Sequence, residues 1–99
     1  MIVIHVSVTA KENATKEFEG ILQKVVNEAR NVAGCTKYEW YCVPNSACSF
    51  VVFGEFDTEE NFKKYLDSSV VKRISEELFP LLVAPPTFKH YESNVLESS

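Results

Sequence analysis

The sequence predicts an α+β domain of order β-α-β-β-α-β: four antiparallel strands with two helices packed on one face. Three observations carry this. Four segments rich in β-branched and aromatic residues are bounded by turn residues. Two longer segments carry apolar residues at steps of three and four. The elements follow one another without repeat, linker or break in composition, which is the ferredoxin-like arrangement.

Residues 2–9 read as strand one. Ile2, Ile4, Val6 and Val8 make one wholly apolar face, and Val3, His5, Ser7 and Thr9 make a mixed one. Such a strand lays the first face on a helix layer and turns the second toward wetter surroundings. Lys11-Glu12-Asn13 is a turn, with Asn13 as the expected N-cap of helix one. Ala14, Phe18, Ile21, Leu22, Val25, Ala29 and Val32 form a single stripe running to about residue 33. Gly34 stands where a left-handed C-cap belongs.

Residues 36–43 read as strand two, 44–47 as a loop of hairpin length, and 48–57 as strand three. Thr58 caps helix two, with Glu59 and Glu60 at the positive end of its dipole. Phe62, Tyr65 and Leu66 face inward, and Ser68-Ser69 bends or breaks the helix. Val70, Val71, Ile74 and Leu78 continue the stripe to Pro80. Pro85-Pro86 leads into strand four at about 87–93. In the tail beyond it, Val95 and Leu96 offer a docking point for a partner.

The 99 residues suit one domain over 1–99, with a core at about 1–93 and a polar tail at 94–99. Hydrophobic residues at 45% and charged residues at 24% are globular proportions, which exclude a disordered chain. Lys+Arg is 10 against Asp+Glu 14, for a net charge of −4, and no basic run exists. That argues against nucleic acid and against a polybasic membrane anchor as partners. No apolar run approaches the roughly 18 residues of a membrane span. The opening Met1-Ile2-Val3-Ile4-His5 reads as a strand rather than a signal peptide. Cys35, Cys42 and Cys48 make no even framework. A reduced, cytoplasmic setting is therefore expected. Two helices on one sheet face leave the other bare, with aromatic and polar residues mixed. A small chain rarely leaves such a face in water, so a two-fold homodimer is expected.

Gly34-Cys35-x-x-Tyr38 opens strand two, and aromatic strand three runs into Asp57-Thr58-Glu59-Glu60-x-Phe62. With the element order, these motifs resemble the antibiotic biosynthesis monooxygenase domain over nearly the whole chain. The resemblance implies a dimeric α/β barrel. Members include cofactor-free quinol and polyketide monooxygenases, haem-degrading enzymes and an autoinducer-phosphate isomerase. Many members place a Glu two residues before a Trp at the end of strand three. Here those positions hold Gly54 and Phe56, and Glu55 between them faces the other way. A helix-two His of many members is Tyr65, and a second His is Val70. The Asn, Trp and axial His of the haem-degrading branch correspond to His5, Tyr65 and Ser75. The missing axial ligand argues against haem degradation, and the missing histidines argue against the isomerase.

His5 is the first candidate for chemistry. It sits on the mixed face of strand one, which is expected to look into the barrel. An imidazole titrates near neutrality and can serve as base or hydrogen-bond donor to a phenolic substrate. The plain alternative is a neutral buried His bonded to a neighbouring strand. Trp40, Phe56 and Tyr65 offer flat rings for a flat substrate, with core and interface packing as the alternative. Tyr38 and Tyr65 supply hydroxyls that orient a substrate carbonyl or bond a backbone carbonyl. His90 is expected at a rim. Neither His-x-x-x-His nor Cys-x-x-Cys occurs, so no metal site is expected. Cys42 and Cys48 flank the hairpin loop, where free thiols are favoured over a bridge.

The expected function is oxidation of a small electron-rich aromatic, a hydroquinone or naphthol, by O₂ without a cofactor. His5 or a tyrosine, Tyr65 first, would take the phenolic proton. The alternatives are a non-catalytic dimeric module that holds a small apolar ligand, and an isomerase of a small carbonyl compound.

Overall fold

The computed structural model describes residues 1–94 and 96. Strands β1 (Ile2–Thr9), β2 (Cys35–Cys42), β3 (Ser49–Phe56) and β4 (Thr87–Glu92) form one antiparallel sheet in the order β2-β3-β1-β4. Helices α1 (Thr15–Ala29), α2 (Glu59–Leu66) and α3 (Ser69–Arg73) complete the ferredoxin-like arrangement. Helix two is thus two short helices, broken where Ser68 Oγ donates to the Tyr65 carbonyl at 2.6 Å. A π-helical turn, Ile74–Leu78, and a 3-10 turn, Phe79–Leu81, follow α3. Among the described residues no helix is long and apolar enough to cross a membrane.

Alternation along β1 decides which sheet face is covered. Ile2, Ile4 and Val8 are buried, and their β3 partners Phe56, Gly54 and Phe50 share that face. The α1 stripe packs onto it through Phe18, Leu22, Val25, Val26 and Ala29, with the Phe18 and Phe50 rings stacked 5.2 Å apart. The other face carries Val3, His5 and Ser7 beside Phe53, Glu55, Lys37 and Glu39.

Gly34 has φ of +81°, and a Cβ there would lie 2.5 Å from Asn61 Cβ and from Asp57 Oδ1. Conformation and space both require glycine. Thr58 Oγ1 accepts from the Asn61 N–H at 3.1 Å, as an N-cap should. Asn13 does not cap α1. A 3-10 turn, Glu12–Ala14, comes first, and the Ala14 N–H bonds the Lys11 carbonyl at 2.9 Å, so the tight turn itself satisfies an end donor. Cys42 stands opposite Phe50 in register, and all three cysteines are free thiols. Leu96 is exposed; Val95 and residues 97–99 lie outside the described residues.

Candidate functional site

A cavity of about 340 Å³ lies between the sheet and the helical layer. Val6 and Val8 of β1, Tyr38 of β2 and Val52 of β3 form its floor. Phe18, Leu22 and Val25 of α1 close one wall. Tyr65, Leu66, Val71, Ile74, Leu78, Phe79 and Leu82 form the roof, and Pro86 and Phe88 border the β4 side. Every lining side chain is apolar except the two tyrosines.

Those tyrosines meet. Tyr38 Oη and Tyr65 Oη are 2.7 Å apart, and each residue is 3% exposed. Gly54 makes the meeting possible. It stands opposite both Tyr38 and Ile4, and a Cβ on it would lie 3.0 Å from Tyr38 Cδ2 and 2.9 Å from Ile4 Cγ1. The Tyr38 ring occupies the room that a side chain would need. Tyr65 descends from α2 and is held by Phe56 at 4.7 Å and Phe62 at 6.2 Å between ring centroids. Arg30 Nε donates to the Tyr38 carbonyl at 2.9 Å, which steadies edge strand β2 at that residue.

Burial pushes the Tyr38 phenol up to about 12, against a smaller downward pull from its bond to Tyr65. Burial pushes Tyr65 further still, and the charge on an ionised Tyr38 would add to the effect. Both phenols are therefore protonated near neutrality. Two hydroxyls carry two protons, and their mutual bond uses one. Among the described residues neither oxygen has another protein partner, so the second O–H is free to meet a ligand oxygen.

The other expected site residues lie apart from this centre. Phe56 is fully buried and backs Tyr65 without lining the cavity. Trp40 shares the helix-facing side but packs edge-on against Phe50 at 5.8 Å, and its Nε1 donates to Gln23 Oε1 at 2.9 Å. His5 lies on the opposite face of the sheet, between Phe53 and Lys89 in register, and does not line the cavity. The mixed face of β1 points away from the helices, and the enclosed space is on the apolar face. The phenols are likewise not poised as bases, because burial opposes their ionisation. His90 lies on exposed β4 with its ring 5.5 Å from Phe62 and 5.6 Å from Phe88. Among the described residues no group of three or more His, Cys, Asp or Glu side chains is placed to hold a metal ion.

Sequence reasoning did not assign Val71, Ile74, Leu78 and Phe79 to the roof. Val71, Ile74 and Leu78 were visible as a continued stripe at spacings of three and four, and Phe79 was not part of it. The π turn that sets them over a cavity was not visible, although π turns recur at functional sites.

Comparison with known proteins agrees with this architecture. A candidate antibiotic biosynthesis monooxygenase from Deinococcus radiodurans superposes with a TM-score of 0.91 at 16% identity, covering 100% of this chain and 98% of the other. A second candidate from Nitrosomonas europaea gives 0.86 at 13% identity, covering 94% and 98%. A protein from Mycobacterium tuberculosis gives 0.86 at 15% identity, covering 99% and 98%. Identities this low speak to the shared fold alone. A search of curated proteins finds no match. The family model for antibiotic biosynthesis monooxygenase matches residues 1–77, from β1 through the cavity roof at Ile74. With more than half of its length so matched, the chain belongs to the antibiotic biosynthesis monooxygenase family.

Proposed function

We propose that the protein is a monooxygenase-type enzyme that oxidises a small, flat, electron-rich aromatic with O₂ in this cavity, without a resident cofactor. The observation that carries the reading is the buried Tyr38–Tyr65 pair, the one polar side-chain pair among the described residues that line an apolar cavity. Family membership supports the reaction class. For a hydroquinone, the ring plus O₂ would give a hydroxyquinone plus water. The ring supplies the electrons, one oxygen atom enters it, and the other leaves as water. The protein's part is to orient the ring against apolar walls and exclude bulk water. The free O–H of the pair donates to the substrate oxygen and stabilises negative charge as it develops there.

In the same proposal, the open sheet face packs against that of a second copy as a two-fold homodimer. Phe53, Val3 and Tyr91 supply apolar area on that face. His5 then belongs to the dimer interior rather than to the cavity.

One observation favours a second reading, a module that holds an apolar ligand without turnover. No lining side chain ionises readily near neutrality, so no obvious base stands in the cavity. Thermal shift and oxygen uptake with a panel of hydroquinones and naphthols decide between them. The enzyme raises its melting temperature with panel members and consumes O₂ faster than a blank. Stabilisation without uptake supports the module, and neither response removes both readings.

A further inference from the structure

We infer that the cavity takes a ligand with one neutral oxygen head and an apolar tail, an alkyl-substituted phenol or quinol rather than a bare ring. The tail lies between Leu66, Phe79 and Phe88. The inference rests on the cavity being the substrate site and extends it by naming the second end of the ligand.

The cavity is unlike at its two sides. Tyr38 stands on β2 and Phe88 on β4, the two outer strands of the sheet. Three strand spacings separate them, roughly 14 Å. Toward β2 the cavity ends in the buried hydroxyl pair. The lining is half-exposed at Phe88 of β4, 45% open to solvent, and at Leu66 and Phe79 of the roof, 43% and 42% open. These three come from the end of α2, the 3-10 turn and β4, and they converge only because they border the same space. Large apolar side chains left open in this way are costly unless something apolar covers them.

Size and chemistry point to the same occupant. A cavity of about 150 Å³ holds one benzene ring. A space of about 340 Å³ has room for such a ring and more. The intervening walls are Val6, Val52, Val71 and Ile74, which are branched aliphatics that suit an alkyl chain. The head must be neutral, because a carboxylate would lose its water in exchange for a single O–H.

The test is calorimetric titration under argon with 4-methyl-, 4-butyl- and 4-octylphenol and with 4-butylbenzoate. Affinity is expected to rise about threefold to fourfold for each CH₂ added from methyl to butyl, at ~0.8 kcal/mol per buried CH₂, and to flatten before octyl. The benzoate is expected to bind at least ~100-fold more weakly than 4-butylphenol. Phe79→Ser and Phe88→Ser, singly and together, flatten the chain-length dependence and weaken 4-butylphenol more than 4-methylphenol. The single variants keep the dependence readable if the double variant fails to fold. Tyr65→Phe weakens all three phenols by one common factor, and Val83→Ser changes nothing. If 4-methylphenol binds with no gain along the series, or if the serine variants keep the full gain, the tail site is wrong while the cavity reading stands. If no phenol binds, the cavity reading itself fails.

Discussion

Ile4 and His5 are neighbours in β1 and end in opposite surroundings. Ile4 is fully buried against Gly54 and the helical layer, on the same face as the cavity floor. His5 is only partly buried on the open face beside Phe53 and Lys89. The open face holds titratable groups, Lys37, Glu39, His5 and Glu55, and no helix covers it. The covered face holds a cavity, partly open at Leu66, Phe79 and Phe88, whose polar side chains are two phenols. Lys37, Glu39, His5 and Glu55 gather on one face, and the cavity lies on the other, which also carries Cys35 and His90. What distinguishes the candidate site is therefore desolvation of ordinary hydroxyls, not a concentration of acids and bases.

This contrast predicts a steep difference in stability between the faces. Ile4→Ala should cost ~2–5 kcal/mol in urea denaturation, through lost burial and the cavity it leaves. Ser7→Ala, on the open face of the same strand, should stay within about 0.5 kcal/mol. Similar costs for the two would mean that the open face is as tightly packed as the covered one.

Gly54 sharpens the contrast within the covered face. Gly54→Ala should destabilise by ~1–3 kcal/mol, because the new methyl meets Ile4 and the Tyr38 ring. Gly20→Ala meets nothing within 4 Å and should stabilise α1 by ~0.5–1 kcal/mol. A neutral Gly54→Ala would show that Tyr38 does not depend on the missing Cβ.

The hydroxyl pair should respond asymmetrically. Tyr65→Phe leaves the Tyr38 hydroxyl buried without its partner, at a cost of ~1–3 kcal/mol, and the double variant Tyr38→Phe, Tyr65→Phe should recover much of it. A double variant no better than the single one would show that the bond is not what holds these rings. Alkaline pH probes the same pair through its protons. The Tyr38 phenol ionises near 10 when unfolded and at about 12 when folded. Above pH 10 the unfolded chain loses this proton first, so the contribution to stability is whole below 10 and lost as pH rises to 12. The slope is at most ~1.4 kcal/mol per pH unit for each phenol. The double variant should show a shallower decline over that window.

Much of the fold was legible because burial writes periodicity. The even face of β1, the α1 stripe, Gly34 as a left-handed cap and Thr58 as an N-cap each follow from one physical rule acting locally. Asn13 misled because a 3-10 turn satisfies the same donors. Both phenols were legible as candidates, but their pairing was not. A bulge between Cys35 and Lys37 shifts the register of β2, so Cys35 and Tyr38 share the covered face despite opposite parity. One residue of slip would turn Tyr38 away from the cavity. The roof was hidden for a related reason. Over five residues, Ile74–Leu78, π-helical and α-helical spacing cannot be told apart from a pattern of apolar positions. His5 stands on the face away from the helices, as the mixed pattern of β1 predicts, but that pattern does not say on which face the cavity lies.

The most direct measurement is oxygen uptake with a hydroquinone and naphthol panel for Tyr65→Phe and His5→Ala beside the unaltered protein. Uptake reduced at least tenfold in Tyr65→Phe and little changed in His5→Ala is the expected result, because one variant breaks the buried donor pair and the other leaves the cavity intact. Full uptake in Tyr65→Phe with loss in His5→Ala would contradict it and move the site to the open face of the sheet.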